Sequence, residues 1–262
     1  MDSRLCGKTG SEFVSSHYTN LVSLKGIWQM LSVKQFRHNY DNLSYLVYGE
    51  KDAIAIDGVA SKEILKFIKN HKLNLLFVTN THEHPDHTGG NSALLNGSHA
   101  RFIGYEELVN QGVIEIEDQD IKVINTQGHT NDSVCFYFNN YLIAGDTLFN
   151  GTVGNCFSGS LENFYHSIKK IMALPEDTII YAGHDYIKDA VSFAKKLEPD
   201  NEYSEIFLRN YNPDHPVSTL REEYRVNPYL RFNERSIIEL LKKNGLPRDT
   251  ELQRWLSLMT IE

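Results

Sequence analysis

From about Leu31 onward, apolar positions fall into two rhythms. Short β-prone runs occur at Tyr45–Tyr48, Ala53–Ile56, Leu75–Thr79, Ile121–Thr126, Val134–Phe138, Tyr141–Ala144 and Thr178–Ala182, bounded by Gly, Asn and Asp as strands usually are. Asn139-Asn140 between two of them predicts a hairpin turn. Helical spacing appears between the runs. Ile64, Leu65 and Ile68 share one face of residues 61–69, and Leu161, Phe164, Tyr165, Ile168, Ile171 and Met172 form a longer stripe behind an N-cap at Ser160. Strands alternating with helices predict an α/β architecture. After Ala182 the strand pattern stops, and three helical faces follow: Ala190 to Leu197, Ile237 to Leu241, and Leu252 to Met259. The expected division is an extension without periodicity at 1–26, an α/β domain at 27–187 and a helical region at 188–262.

Composition narrows the function classes. The chain has 262 residues, 41% hydrophobic and 23% charged, which suits a globular protein with a real core. A net charge of −8 argues against nucleic acid or an anionic membrane as partner. The sequence contains no apolar stretch long enough to span a bilayer, and its first thirty residues lack the apolar core of a secretory signal. Cys6, Cys135 and Cys156 are widely spaced, so a disulfide framework is not expected and a reducing, cytoplasmic setting is.

The chemistry concentrates in Thr81-His82-Glu83-His84-Pro85-Asp86-His87, which follows the run Leu75–Thr79. Imidazole and carboxylate are the donors that bind zinc, iron or manganese. Pro85 and Gly89-Gly90 exclude a continuous helix through the segment. Three further runs end the same way, at Gly128-His129, Gly145-Asp146 and Gly183-His184. One such Gly-His is ordinarily a turn. Four strands delivering metal-capable side chains from their C-terminal ends converge on one sheet edge, where open α/β sheets carry their sites. Glu83 alternates with the ligands and is expected to point away, and Asp185 is ambiguous.

With these motifs the sequence resembles the metallo-β-lactamase superfamily, and within it the hydroxyacylglutathione hydrolases (glyoxalase II). Asp41-Asn42-Leu43-Ser44-Tyr45-Leu46-Val47, Gly145-Asp146-Thr147-Leu148-Phe149, Gly183-His184-Asp185-Tyr186, Ser218-Thr219-Leu220 and Asn227-Pro228-Tyr229-Leu230-Arg231 carry the resemblance. It implies a four-layer αββα sandwich with a helical C-terminal substrate-binding region. It implies two divalent transition metals, zinc with iron or manganese as alternatives. His82, His84 and His129 would hold one, Asp86, His87 and His184 the other, and Asp146 would bridge, with Asp86 and Asp146 as catalytic carboxylates. The implied reaction is hydrolysis of an acyl thioester by a hydroxide shared between the metals.

The chain departs from that family where glutathione is gripped. Asn155 stands for a basic residue, Cys156 for an aromatic and Phe157 for a tyrosine, while Tyr186 keeps its place; these make Asn155, Phe157 and Tyr186 the expected substrate contacts. Near the C-terminus, Arg254 is the one weak candidate for a glutathione carboxylate. The expected substrate is a small-molecule thioester, glutathione-derived by default. A lactone or ester hydrolase, a persulfide dioxygenase and a non-catalytic binding protein are the competing readings.

Overall fold

The structure is a computed structural model that describes residues 30–261; the expected N-terminal extension, with Cys6, lies outside the described residues. Its strands are β1 (Ser32–His38), β2 (Asn42–Tyr48), β3 (Asp52–Ile56), β4 (Asn74–Thr79), β5 (Arg101–Phe102), β6 (Val113–Ile116), β7 (Gln119–Asn125), β8 (Val134–Phe138), β9 (Tyr141–Gly145), β10 (Leu148–Phe149), β11 (Thr152–Val153), β12 (Ile179–Ala182) and β13 (Ser218–Thr219). Its helices are α1 (Ser61–His71), α2 (Pro85–Thr88), α3 (Asn91–Asn96), α4 (Tyr105–Gln111), α5 (Leu161–Met172), α6 (Ile187–Leu197), α7 (Tyr203–Asn210), α8 (Leu220–Val226), α9 (Arg235–Lys243) and α10 (Glu251–Leu258).

Two sheets stack face to face. One runs β1-β2-β3-β4-β5 and the other β13-β12-β9-β8-β7-β6, with β10-β11 as a separate hairpin. In the second sheet β9 and β12 are parallel, so their C-terminal ends, and the residues that follow them, lie side by side. Alternation along each strand builds the layers. Leu43, Tyr45 and Val47 of β2 meet Phe136, Phe138 and Ile143 of β8 and β9 between the sheets. Leu46 of β2 faces outward onto Ile64 and Ile68 of α1. Cys135, Leu142 and Ala144 face the other way, onto Phe164, Ile168 and Ile171 of α5 and onto Trp255 of α10. The fold is therefore the αββα sandwich with a helical C-terminal region.

Local signals account for most boundaries. The side chain of Ser160 accepts from the Asn163 N–H and caps α5, a contact worth about 1 kcal/mol. Asn139 adopts φ 51° in the tight β8–β9 turn, as expected there. One expectation needs correction. Strand structure does not end at Ala182, because Ser218–Thr219 returns as β13 against β12. The ligand segment holds no continuous helix, as expected; it contains a single helical turn, α2, with Pro85 in its first position, where its missing N–H costs nothing.

Candidate metal centre

The strand ends bring the expected ligands together. His82, His84, His129 and Asp146 offer ligand atoms within 4.8 Å of one another, and so do Asp86, His87 and His184. His84 Nδ1 lies 2.9 Å from His82 Nε2 and 3.1 Å from His129 Nε2. Such spacing is close to the ~3.3 Å that separates ligands arranged tetrahedrally about one ion at 2.0–2.1 Å. On the other side His184 Nε2 stands 3.3 Å and His87 Nε2 4.0 Å from Asp86 Oδ2. Asp146 lies between the groups: its Oδ1 is 3.4 Å from His87 Nε2, and its Oδ2 is 3.5 Å from His129 Nε2 and 3.7 Å from His184 Nε2.

The backbone is shaped for this approach. Gly145 has φ 51°, and a Cβ there would lie 2.3 Å from Thr81 Oγ1. At Gly183 a Cβ would lie 2.1 Å from Asp146 Oδ1, so only glycine lets the two strand ends come this close.

Supporting groups turn the rings. His129 Nδ1 donates to the Asn155 carbonyl at 2.8 Å, which leaves Nε2 with its lone pair toward the centre. His82 Nδ1 lies 3.1 Å from Thr81 Oγ1, and the Thr81 hydroxyl in turn donates to Asp57 Oδ2 at 2.7 Å. Asp57 is fully buried, takes the Thr81 N–H at 2.7 Å and stands 3.1 Å from His87 Nδ1. Sequence reasoning missed Asp57, which also follows an apolar strand but stands before its glycine, Gly58, rather than after it.

Electrostatics favour a cation. Burial, with His87 nearby, pushes His82 down to about 4, so its imidazole is neutral and able to ligate at neutral pH. Burial opposes charge on His87, yet Asp57 and Asp146 outweigh it and raise its pKa. Burial likewise opposes charge on Asp146, and His87 and the neighbouring imidazoles hold its pKa far below the usual carboxylate range. Among the described residues, His87 Nε2 and Asp146 Oδ1 are buried with no hydrogen-bond partner. Buried polar atoms left so are costly, and a cation between them removes the penalty. The donor set thus fits divalent metal.

The rim is asymmetric. The Asp86 side chain is 56% exposed and Phe157 65% exposed, which marks the open side. Phe157 packs edge-on against His84 and His129, and Tyr186 stacks on His184 at 5.0 Å. Asn155 is exposed, and its carbonyl rather than its side chain serves the centre. Glu83 points to solvent, as expected. Asp185 is structural, pairing with Arg37 at 2.6 Å and accepting from the Tyr211 hydroxyl at 2.7 Å. Arg254 is spent elsewhere: its guanidinium donates to Asn233 Oδ1 at 2.6 Å and to the Arg248 carbonyl at 2.9 Å. Cys156 packs at the edge of the α5 core.

Residues 40–111 and 100–184 match the metallo-beta-lactamase superfamily, and residues 185–256 match the hydroxyacylglutathione hydrolase C-terminus. Hydroxyacylglutathione hydrolase of Pelagibacter ubique is 34% identical over 223 residues, 77% of this chain and 93% of its own. That of Vibrio cholerae serotype O1 is 33% identical over 248 residues, 86% of this chain and 98% of its own. Among solved structures, ETHE1 from Myxococcus xanthus superposes with a TM-score of 0.60 at 22% identity, covering 86% of this chain and 99% of that one. The chain belongs to the hydroxyacylglutathione hydrolase family of the metallo-β-lactamase superfamily.

Proposed function

We propose that this protein hydrolyses acyl thioesters of the hydroxyacylglutathione type at a centre of two divalent transition metals. The observation that carries the reading is Asp146, whose carboxylate stands between the two groups, with Oδ1 near His87 and Oδ2 near both His129 and His184. His82, His84 and His129 would hold one ion and Asp86, His87 and His184 the other, with Asp146 placed to serve both. Zinc is the first expectation for such nitrogen and oxygen donors, with iron or manganese as alternatives. When bound, the metals supply Lewis acidity and lower the pKa of a water toward neutrality.

The protein's own residues do the rest. Asp86, exposed at the mouth, marks the face from which the thioester carbonyl enters. Phe157 and Tyr186 form aromatic walls beside that face, packed on the ligand rings. A thiolate leaves readily, so the reaction needs no dedicated proton donor. The helical region, residues 188–262, contributes to binding the thiol carrier. Recognition of the two glutathione carboxylates ordinarily relies on Arg or Lys. With Asn155 in place of a cation and Arg254 engaged by Asn233, the hold on glutathione is weaker than the family pattern implies. The absence of a charged hydrogen bond forfeits about 1.5–3 kcal/mol. None of the described helices is long and apolar enough to cross a membrane, and Cys135 and Cys156 are free thiols, which supports work in a reducing, cytoplasmic compartment.

Elemental analysis together with kcat/KM for lactoylglutathione, simple acyl thioesters and lactones tests this. Two ions per chain and turnover confined to thioesters are expected. Lactone hydrolysis outrunning every thioester overturns the substrate class. A single ion after reconstitution overturns the two-metal reading.

A further inference from the structure

The position of Asp146 depends on how the chain beyond it is held. The β10–β11 hairpin starts just after Asp146 and ends just before Asn155, whose carbonyl accepts from His129 Nδ1. Both ends of the hairpin therefore belong to the metal centre. Its tip is gripped by the helical region. The Gly151 N–H donates to both Glu223 oxygens, at 2.9 and 3.1 Å. The Asn227 side chain donates to the Thr152 carbonyl at 3.1 Å and to Glu223 Oε2 at 2.8 Å. Asn150 donates to Ser218 Oγ at 2.7 Å, and the Ser218 hydroxyl donates to Glu223 Oε1 at 2.6 Å.

Glu223 is fully buried, and its hydrogen-bond partners are all neutral: an amide N–H, a hydroxyl and a carboxamide. A buried carboxylate without a counter-charge is a costly way to join two segments, since a neutral side chain does so with less desolvation. Its burial pushes the carboxyl up to about 7, which reflects that cost. What the carboxylate offers, and a carboxamide does not, is two acceptor oxygens for converging donors.

We propose that Glu223 is a positioning residue, clamping the tip of the β10–β11 hairpin so that Asp146 and His129 keep the spacing that holds the metals. The inference rests on the metal-centre reading above. Gln at this position keeps one acceptor and turns an NH2 group against donors that are already there.

The test compares Glu223→Gln and the milder Ser218→Ala with Glu198→Gln. Glu198 is another buried acid of the helical region; among the described residues its side chain bonds to Arg231, at 2.7 and 2.9 Å, and to Ser236, and not to the hairpin. Each full-length protein is stripped, titrated with cobalt(II) against a chelator at mildly alkaline pH, and read by visible absorption and by melting temperature. Glu223→Gln is expected to weaken cobalt binding about tenfold and to change the absorption bands. Ser218→Ala is expected to shift both in the same direction by less. Glu198→Gln is expected to lower the melting temperature while keeping wild-type affinity and spectrum. Wild-type affinity and spectrum in Glu223→Gln overturn the proposal; if that variant does not fold, the same result in Ser218→Ala does so. A wild type that binds one cobalt sinks the two-metal reading instead, and the affinity and spectrum of that ion still decide the role of Glu223.

Discussion

Asp57→Asn tests how the fold tunes the centre without touching a ligand. The native carboxylate takes the Thr81 N–H and hydroxyl, each at 2.7 Å, and faces His87 Nδ1 at 3.1 Å. Asn keeps the volume. With its carbonyl on the Thr81 N–H, its NH2 group points toward the Thr81 hydroxyl and His87 Nδ1. A proton on Nδ1 then meets another donor, so the His87 proton moves to Nε2, the atom 3.4 Å from Asp146 Oδ1. That atom no longer has a lone pair for a cation. Losing such a supporting carboxylate weakens metal binding about 10- to 100-fold, or about 1.4–2.7 kcal/mol. His82 keeps its Thr81 contact at 3.1 Å, so the ion at His82, His84 and His129 is expected to be retained. Calorimetric zinc titration that resolves both ions, with kcat/KM measured at rising zinc, reads this directly. One weakened ion and activity partly restored by excess zinc are expected. Wild-type binding of both ions by Asp57→Asn would falsify the argument, and equal weakening of both would place the role of Asp57 at Thr81 rather than at His87.

Other outcomes follow from the same structure. Asp146→Asn removes the charge between the two groups, and kcat/KM should fall on the order of a hundredfold or more, with fewer than two ions by elemental analysis. Near-normal activity with full metal content contradicts that. Trp255→Ala empties a fully buried site against Phe164 and Tyr229, and chemical denaturation should show a loss of about 3–5 kcal/mol. Glu223 has a folded pKa of about 7 against 4.5 for the free side chain, so the folded state binds the extra proton between these values. Its contribution is complete below the lower pKa and lost as pH rises through the upper one, on the order of 3 kcal/mol. Stability measured across that window should therefore slope less steeply downward with pH in Glu223→Gln than in wild type, and an unchanged slope refutes the assignment.

What the sequence announces is what has a local cause. The seven candidate ligands stand out because each follows an apolar strand and a tight turn or glycine, and β8 and β9, buried on both faces, stand out as continuous apolar runs. β1 escapes notice because Ser32–His38 is an edge strand of half-exposed residues with no clean alternation. β13 is two residues long and exists through its pairing with β12. Asp57 reads as a turn residue, since Asp tolerates the φ of 52° it adopts, and its three partners are assembled only when β3 and β4 lie side by side. Arg254 looks free until Asn233 is brought to it.

Glu222 and Glu223 show the distinction within one helix turn. Both are acidic and adjacent in α8. The first closes a capping box with Thr219, and the spacing of Thr219 and Glu222 is visible in the chain. The second reads as a solvated charge by the same local logic. Its main partner, Gly151, is 72 residues away, and its burial appears only once the β10–β11 hairpin packs beneath α8. Local pattern therefore finds the groups of the candidate metal centre. The groups proposed to hold those in register are set by long-range packing, and for Glu223 the physical trace is the cost of a buried carboxylate without a counter-charge.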